Sequence, residues 1–564
     1  MIDAQLNKML ARLLVVMLYG STLLVLPFTV SDPINLPKMV VLVVFASALA
    51  GLLLSNIKIL NSKSRTPVFM ISALFILNLI IILAKSGVAF SENLYGTAGR
   101  NTGVATYISF TVVALVCVII ANEIFIRNLL TSFFLIGIFL LIYGILQYLG
   151  LEPFPYINIY ESNVFGTFGN PNFQSSFMGM LAVLAAAFTL KSSLKPLHRL
   201  AFLVLLGSSL VGVLLTNSIQ GFFNFVLGFS FIIFFFLIST GRRILARITA
   251  ILLLLGTLSI FASFLKIGPI ADFLYKGSMS ARVYYWKTAI KIALDHPIFG
   301  VGMDQYVDWL RVYRTTEEVA VNLTADSAHN IYLDVLSSGG FPLFLLFCSF
   351  TVLTIISIIH VSRRKELPSG NYYALIGLWV AYQAQSLISI SQIGVAVWGW
   401  VFSGLLIGYE INTRGGDERT NEEGLNTKTK RKSTQKISSL SRPKLVIAAS
   451  AGLALGLIVA LPPFISAQQY YNSFKTSNGV AIKAAALLKP YNRNSFMQVT
   501  GILLANKFEK DALEIAKEAT VHFPNSFAAW KVVGELSAQG SQDQVEAISK
   551  LHTLDPNNPD YALP

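Results

Sequence analysis

Five polar stretches in an otherwise apolar chain hold side chains suited to chemistry. They are AKSGVAFSENLYGTAGRNTG (84–103), YESNVFGTFGNPNFQ (160–174), TNSIQG (216–221), SMSARVYYWKTAIKIALDHPIFGVGMDQY (278–306) and RVYRTTEEVAVNLTADSAHNIYLDVLSSGGFP (311–342). A histidine can take a proton near neutral pH, and a guanidinium offers a fixed fork of donors to an anionic group such as a phosphate. His329, Arg100, Arg282, Arg311 and Arg314 all fall in these stretches, as does the amide Gln220. The chain has 6 histidines. His296 sits in the HPIFGVG turn, and His198, His360, His522 and His552 lie elsewhere.

The elements that must position these residues are membrane helices. The chain has 564 residues, 54% hydrophobic and 13% charged, with a mean hydropathy of +0.63. A soluble protein carries about a quarter charged residues, so lipid is the expected solvent. Spanning a bilayer takes about 20 apolar residues. Windows near 11–30, 38–55, 67–84, 104–121, 129–149, 173–190, 198–216, 219–238, 246–265, 340–360, 372–389, 393–410 and 444–466 qualify. The expected fold is therefore an all-α polytopic bundle of about thirteen spans. The N-terminus reads as a retained first helix, because no small-residue cleavage pattern follows MIDAQLNKMLAR. Cys117 and Cys348 fall within apolar segments and read as packing residues.

Lysine and arginine in short loops set orientation. With Lys8 and Arg12 in the cytoplasm, the same side receives Lys58, Lys63, Arg65, Arg127, Lys191, Lys195, Arg199, Arg242, Arg243, Arg247, Arg363, Arg364, Lys365 and the basic linker 411–443. The opposite loop 150–172 carries Glu152 and Glu161 and no basic residue. This counting puts all five polar stretches on the extracytoplasmic face, with a long, largely helical loop at 267–339. The formal charge of +14 thus serves orientation, and the linker suits anionic headgroups. No nucleic-acid partner is expected.

Beyond the last span, 467–564 is soluble in character. Pro490, Pro524 and Pro556 recur at near-tetratricopeptide spacing, and FEKDALEIAKEATVHF has helical periodicity. The segment reads as an extracytoplasmic tetratricopeptide-like domain packed on the membrane domain. It would serve either as a docking surface or as a stabilising cap.

GTFGNPNF (166–173), SARVYYWKTAI (280–290), HPIFGVGMDQY (296–306) and SAHNIYLDVLSSGG (327–340), in this order and topology, resemble the O-antigen ligase and polymerase superfamily. The resemblance covers about 85–410. It implies a bacterial cytoplasmic-membrane glycosyltransferase that takes an undecaprenyl-diphosphate-linked glycan as donor. The acceptor would be a hydroxyl on a glycan, lipid or protein, and transfer would be inverting, without metal or cofactor. It assigns His329, in the HN-x-YL element, as the base or as the group positioning the acceptor hydroxyl. Arg282 matches the family's loop arginine and is the expected diphosphate clamp. Ligases often carry SRG at an outer turn where this chain has Ser218-Ile219-Gln220-Gly221. Gln220 can donate a hydrogen bond but cannot neutralise a phosphate, so Arg100 first, then Arg311 and Arg314, are candidates for that charge.

Gly166, Gly169, Asn170, Pro171 and Asn172 read as a helix start with an indirect role. Asp326 is either an orienting partner for His329 or a solvated carboxylate. Tyr284, Tyr285 and Trp286 read as interfacial anchors more readily than as a sugar-stacking platform. Ligase and polymerase are poorly separated by sequence. A transporter would place ionisable residues at mid-membrane, where these spans have almost none.

Overall fold

The computed structural model describes residues 4–56, 64–152, 154, 164–191, 194–264, 278–364, 368–423, 442–476 and 478–561, with 260–264, 278–280 and 415–423 described by backbone alone. Lys58, Lys63, Glu161, Lys365, the first part of the long outer loop (265–277) and the lysine-rich core of the linker (424–441) lie outside the described residues.

The described chain is a helical bundle. In order come α1 (Ala4–Leu23), α2 (Asn35–Leu54), α3 (Thr66–Lys85), short α4 (Phe90–Tyr95), α5 (Val104–Ile120), α6 (Glu123–Tyr148), α7 (Pro171–Thr189), α8 (Pro196–Leu215), α9 (Gln220–Ser239) and α10 (Arg243–Phe264). Next are α11 (Ser278–Asp295), α12 (Tyr306–Tyr313) and α13 (Thr316–Ala320), then the long α14 (Ile331–Ser362), α15 (Gly370–Ile388), α16 (Ile393–Glu423) and α17 (Arg442–Lys475). Five shorter helices close the chain: α18 (Gly479–Ala486), α19 (Arg493–Ala505), α20 (Glu509–His522), α21 (Phe527–Leu536) and α22 (Gln542–Leu554).

Every one of the expected spans falls on a helix. Among the described residues, nine helices are long and apolar enough to cross a membrane: α1, α2, α3, α6, α8, α9, α14, α16 and α17. The remaining windows fall on α5, a 17-residue apolar helix, and on α7, α10 and α15. Helices α5, α7 and α15 are mostly buried against protein, which relieves them of the need to be uniformly apolar. On α8 and α10 the large side chains point outward, including Leu197, Val204, Ile244, Leu252 and Leu254, as lipid-facing residues do.

Small residues set the tightest packing. A Cβ on Gly452 of α17 would lie 2.2 Å from the Ser47 carbonyl of α2, so the two backbones meet without side chains between them. Helix starts are capped as their sequences suggest. The Asn170 side chain accepts from the Asn172 N–H at the start of α7, with Pro171 in its first turn.

Helix α14 begins at Ile331, ahead of the apolar window at 340, and turns sharply at Gly340 (φ 68°) just before Pro342. The loop 296–302 fastens to that bend. Phe341 N–H donates to the Pro297 carbonyl (2.8 Å), while Val301 and Gly302 N–H donate to the Ser337 and Ser338 carbonyls (both 3.0 Å). A side chain at Gly340 would collide with the Pro297 carbonyl, so the HPIFGVG turn and the SSGG bend are built for one another.

The polar ends segregate. At one end, Arg65 bonds Asn412, Arg364 bonds Thr413 and the Glu410 carbonyl, and Glu123 accepts from Ser369 and Asn371. At the other, called here the site end, Asn35 bonds the Gly99 carbonyl, Gln392 bonds Asn35, and Ser218 bonds Asn172. Helix α19 packs on α20 and α21 on α22, a proline-bearing turn at Pro524 or Pro556 follows each pair, and Arg493 and Asp555 join them to the site end.

Candidate functional site

His329 sits on a tight turn immediately before α14. Its backbone is left-handed (φ 51°), a conformation that costs a non-glycine residue free energy and must be held by its surroundings. Asp334, one turn into α14, does the holding. Its carboxylate accepts from Ser327 Oγ (2.7 Å) and from Ala328 N–H (2.8 Å), and Ser327 Oγ in turn accepts from His329 N–H (3.0 Å). Asn330 caps α14 through the Tyr332 and Leu333 N–H groups and donates to the Leu387 carbonyl, fixing the turn against α15.

The half-buried imidazole stacks on Tyr285 of α11, with centroids 5.6 Å apart. Tyr285 is held in turn by Tyr306, whose hydroxyl donates to the Tyr285 carbonyl at 2.8 Å. Tyr285, read from sequence as an interfacial anchor, thus packs on the candidate histidine.

Arg282 lies one turn before Tyr285 on α11 and is almost fully buried. Burial first, then the nearby positive charges of Arg282 and Arg100, pull the His329 imidazole down to about 4, with Asp326 acting in the opposite sense. At neutral pH the ring is therefore uncharged and able to accept a proton. Burial also pulls the Arg282 guanidinium down, against a smaller opposing effect of Tyr285.

Arg100 reaches the same place from the loop before α5. Its Nη1 donates to the Asp326 carbonyl at 2.6 Å, three residues before His329, and its Nη2 lies 3.7 Å from Asp304 Oδ1. Burial alone would pull Arg100 down, but Asp304, Asp326 and Asp334 together hold it above its ordinary value. Asp304 organises this loop: it accepts from the Thr97 and Thr102 N–H groups (both 3.2 Å) and from Thr102 Oγ1 (2.7 Å). The sequence stretch GVGMDQY contained Asp304, yet nothing in it announced a partner some two hundred residues earlier.

The other candidates lie elsewhere. Gln220, at the start of α9, is buried, and its Oε1 has no hydrogen-bond partner among the described residues. One turn on, Asn224 donates to Ser176 Oγ (2.7 Å) and Gln385 Oε1 (3.4 Å), which ties the first turns of α9 to α7 and α15. Arg314 is engaged by the C-terminal helices: Nε donates to Asp555 Oδ1 at 2.8 Å and Nη2 to Asp555 Oδ2. Arg311 lies over the Phe527 ring, 4.4 Å from its centroid. The structure thus brings His329, Arg282 and Arg100 together and uses Arg311 and Arg314 at the contact with the tail.

The sequence reading also passed over Lys38, in the first turn of α2. It is fully buried, donates to the Thr167 carbonyl and lies 5.0 Å from the Phe168 centroid, pinning the GTFGNPN loop to α2.

Removing the Asp334 carboxylate should release the His329 turn. Asp334→Ala is expected to lower activity almost as far as loss of His329 itself, while leaving the level of protein in the membrane unchanged. Asp334→Asn, which keeps one acceptor oxygen, should retain part of it. Equal activity of the alanine variant and the parent would remove Asp334 from this role.

A bundle with apolar outward faces, and with a histidine and two arginines gathered at one polar end, is that of a multi-pass membrane protein. Residues 201–348 match the family model described as O-Antigen ligase, and this segment is similar to that superfamily. No curated protein matches the chain. The family points to a membrane glycosyltransferase-like enzyme of ligase or polymerase type. The matched segment contains His329, Arg282, Gln220, Arg311 and Arg314; Arg100 and the C-terminal helices lie outside it.

Proposed function

We propose that the protein transfers a glycan from an undecaprenyl-diphosphate carrier to a hydroxyl acceptor, with the site end facing away from the cytoplasm of a bacterial inner membrane. In this reading the N-terminus is cytoplasmic, 411–443 is a basic cytoplasmic linker, and 467–564 is an extracytoplasmic, tetratricopeptide-like domain. The observation that carries the proposal is the half-buried imidazole of His329, kept neutral between Arg282 and Arg100.

The acceptor O–H gives its proton to His329 while its oxygen bonds the anomeric carbon. The bond from that carbon to the diphosphate oxygen breaks, configuration inverts, and the lipid diphosphate leaves with the electron pair. Arg282 and Arg100 stabilise the charge that grows on the leaving group, where fixed donors in a partly dehydrated site act most strongly. Gln220 supplies a neutral contact at the neighbouring turn. No metal is required for these steps.

The test is reconstitution of the full chain in nanodiscs with a lipid-diphosphate glycan as donor and unmodified envelope glycan as acceptor. Transfer with inversion, unaffected by a chelator, is expected. Retention of configuration, or loss of transfer with the chelator, would oppose the mechanism.

The charge state of His329 also fixes a pH dependence. A base is lost only when it gains a proton, so transfer should hold as pH falls through about 6.5, the ordinary histidine value, and decline only towards about 4. In Arg282→Gln one depressing charge is gone, so the acid limb should move to higher pH. An acid limb at the ordinary histidine value in the parent protein would contradict the assignment.

A further inference from the structure

Between the C-terminal helices and the site end of the bundle lies a cleft, part of it open to solvent. Its walls come from three places: the loops before α2 and α5, the end of α17, and the turn into α19. Asp32, Ala98, Asn101, Ser466, Tyr491 and Ser495 are the residues that bear on what it takes.

Three observations identify the ligand class. First, Asn101 Oδ1 is buried and has no hydrogen-bond partner among the described residues, although Asn101 lines the cleft. Such an acceptor carries a desolvation cost that a hydroxyl or amide donor would relieve. Second, the described lining carries carboxylates and no cationic side chain. Asp32 and Glu92 line the cleft, no lysine, arginine or histidine does among the described residues, and Arg493, which pairs with Glu92, also carries Asp308. Asp32 also accepts from the Ile34, Asn35 and Leu36 N–H groups, and among the described lining residues no guanidinium or ammonium is offered to a lipid diphosphate. Third, the lining is rich in hydroxyl groups, with Ser466, Ser495 and Tyr491 among them, and these both donate and accept.

The position completes the argument. Asn101 is the neighbour of Arg100, whose guanidinium holds the Asp326 carbonyl beside His329. The cationic side of this short segment faces the catalytic histidine, and its next residue faces the cleft.

We propose that this cleft is the acceptor subsite and binds a neutral, hydroxyl-rich saccharide, with Asn101 and Asp32 accepting from its hydroxyls. The assignment rests on the glycan-transfer reading above, and it gives the tail a function as one wall of the acceptor site.

The test uses the full chain in nanodiscs. The probe is the water-soluble saccharide released by mild acid from envelopes of a strain lacking the protein, separated into neutral and anionic fractions. Saturation-transfer NMR reports binding. Wild type should bind the neutral fraction, and Ala98→Trp and Ser495→Trp should bind it at least tenfold more weakly. Val480→Trp, on an exposed face of α18, should bind like wild type. Ser495→Cys labelled after folding with a bulky maleimide plugs the same space without the fold having to form around it. It should bind before labelling and not after, with labelled wild type as control.

Undiminished binding by the labelled and plugged proteins overturns the proposal. So does preference for the anionic fraction, or binding of neither fraction by wild type. Saccharide binding at the cleft with no transfer activity in any protein would instead overturn the glycan-transfer reading and leave the subsite standing.

Discussion

His329→Ala is expected to reduce glycan transfer by a factor of about 10² to 10⁴, the usual contribution of a positioned general base. The ring stacks on Tyr285, and its backbone turn is held by Ser327 and Asp334 and not by the imidazole itself. The variant should therefore fold and reach the membrane at the parental level. Complementation of a deletion strain, scored as glycan attached to acceptor per unit of membrane protein, measures the effect. His329→Gln should fare no better, since an amide cannot take the proton. Activity within a few-fold of the parent would show that His329 is not the base, and Arg282 and Arg100 would then lack the reaction they are placed to serve.

Arg493→Ala should have the second large effect, through the tail. Arg493 donates to Glu92 (2.7 Å), Asp308 (2.7 Å) and Gln305 (3.1 Å), and is itself largely buried. Burial pushes the Glu92 and Asp308 carboxyls up, and Arg493 counters this in both. Removing the guanidinium leaves two buried carboxylates facing one another. Breaking such a pair costs about 3–5 kcal/mol, so the contact between tail and membrane domain should open. Arg493→Lys should restore little of it, because a point charge cannot serve three partners in one plane.

The effect should extend to catalysis. Gln305 and Asp308 follow directly on Asp304, and Asp304 positions the Arg100 loop. A shift of about 1 Å there can cost about 10² in rate. Hydrogen exchange across 479–561, read alongside transfer, measures both consequences. Unchanged protection in Arg493→Ala would refute the docking role, and altered protection with full activity would uncouple the tail from the site.

The membrane helices were legible because a span must be apolar for about 20 residues and charge must mark its flanks. The start of α14 was not, because its first turns carry Asp334, Ser337 and Ser338 for the site, and a hydropathy window begins only after them. The helical character of the C-terminal stretch was legible from its periodicity, and Pro490, Pro524 and Pro556 each follow a helix.

The site divides in the same way. His329 and Arg282 are candidates because local motifs carry them. Asp304 was missed because its partners Thr97, Thr102 and Arg100 lie about two hundred residues away, and no local pattern encodes that contact. Arg314 was read as an anion-binding candidate because its true neighbour, Asp555, is 241 residues further on. An arginine at an interface and an arginine at a phosphate site look alike until the fold supplies the partner.

The most direct test of the central claim is the pool of undecaprenyl-diphosphate-linked glycan in a deletion strain carrying wild type, His329→Ala or Arg282→Ala. The account predicts that the lipid-linked glycan accumulates, and its acceptor stays unmodified, in the deletion and in both variants, and that wild type alone clears it. Accumulated single repeat units would mark a polymerase, and finished chains a ligase. A pool that does not change on deletion, or that both variants clear as wild type does, would contradict glycan transfer at this site.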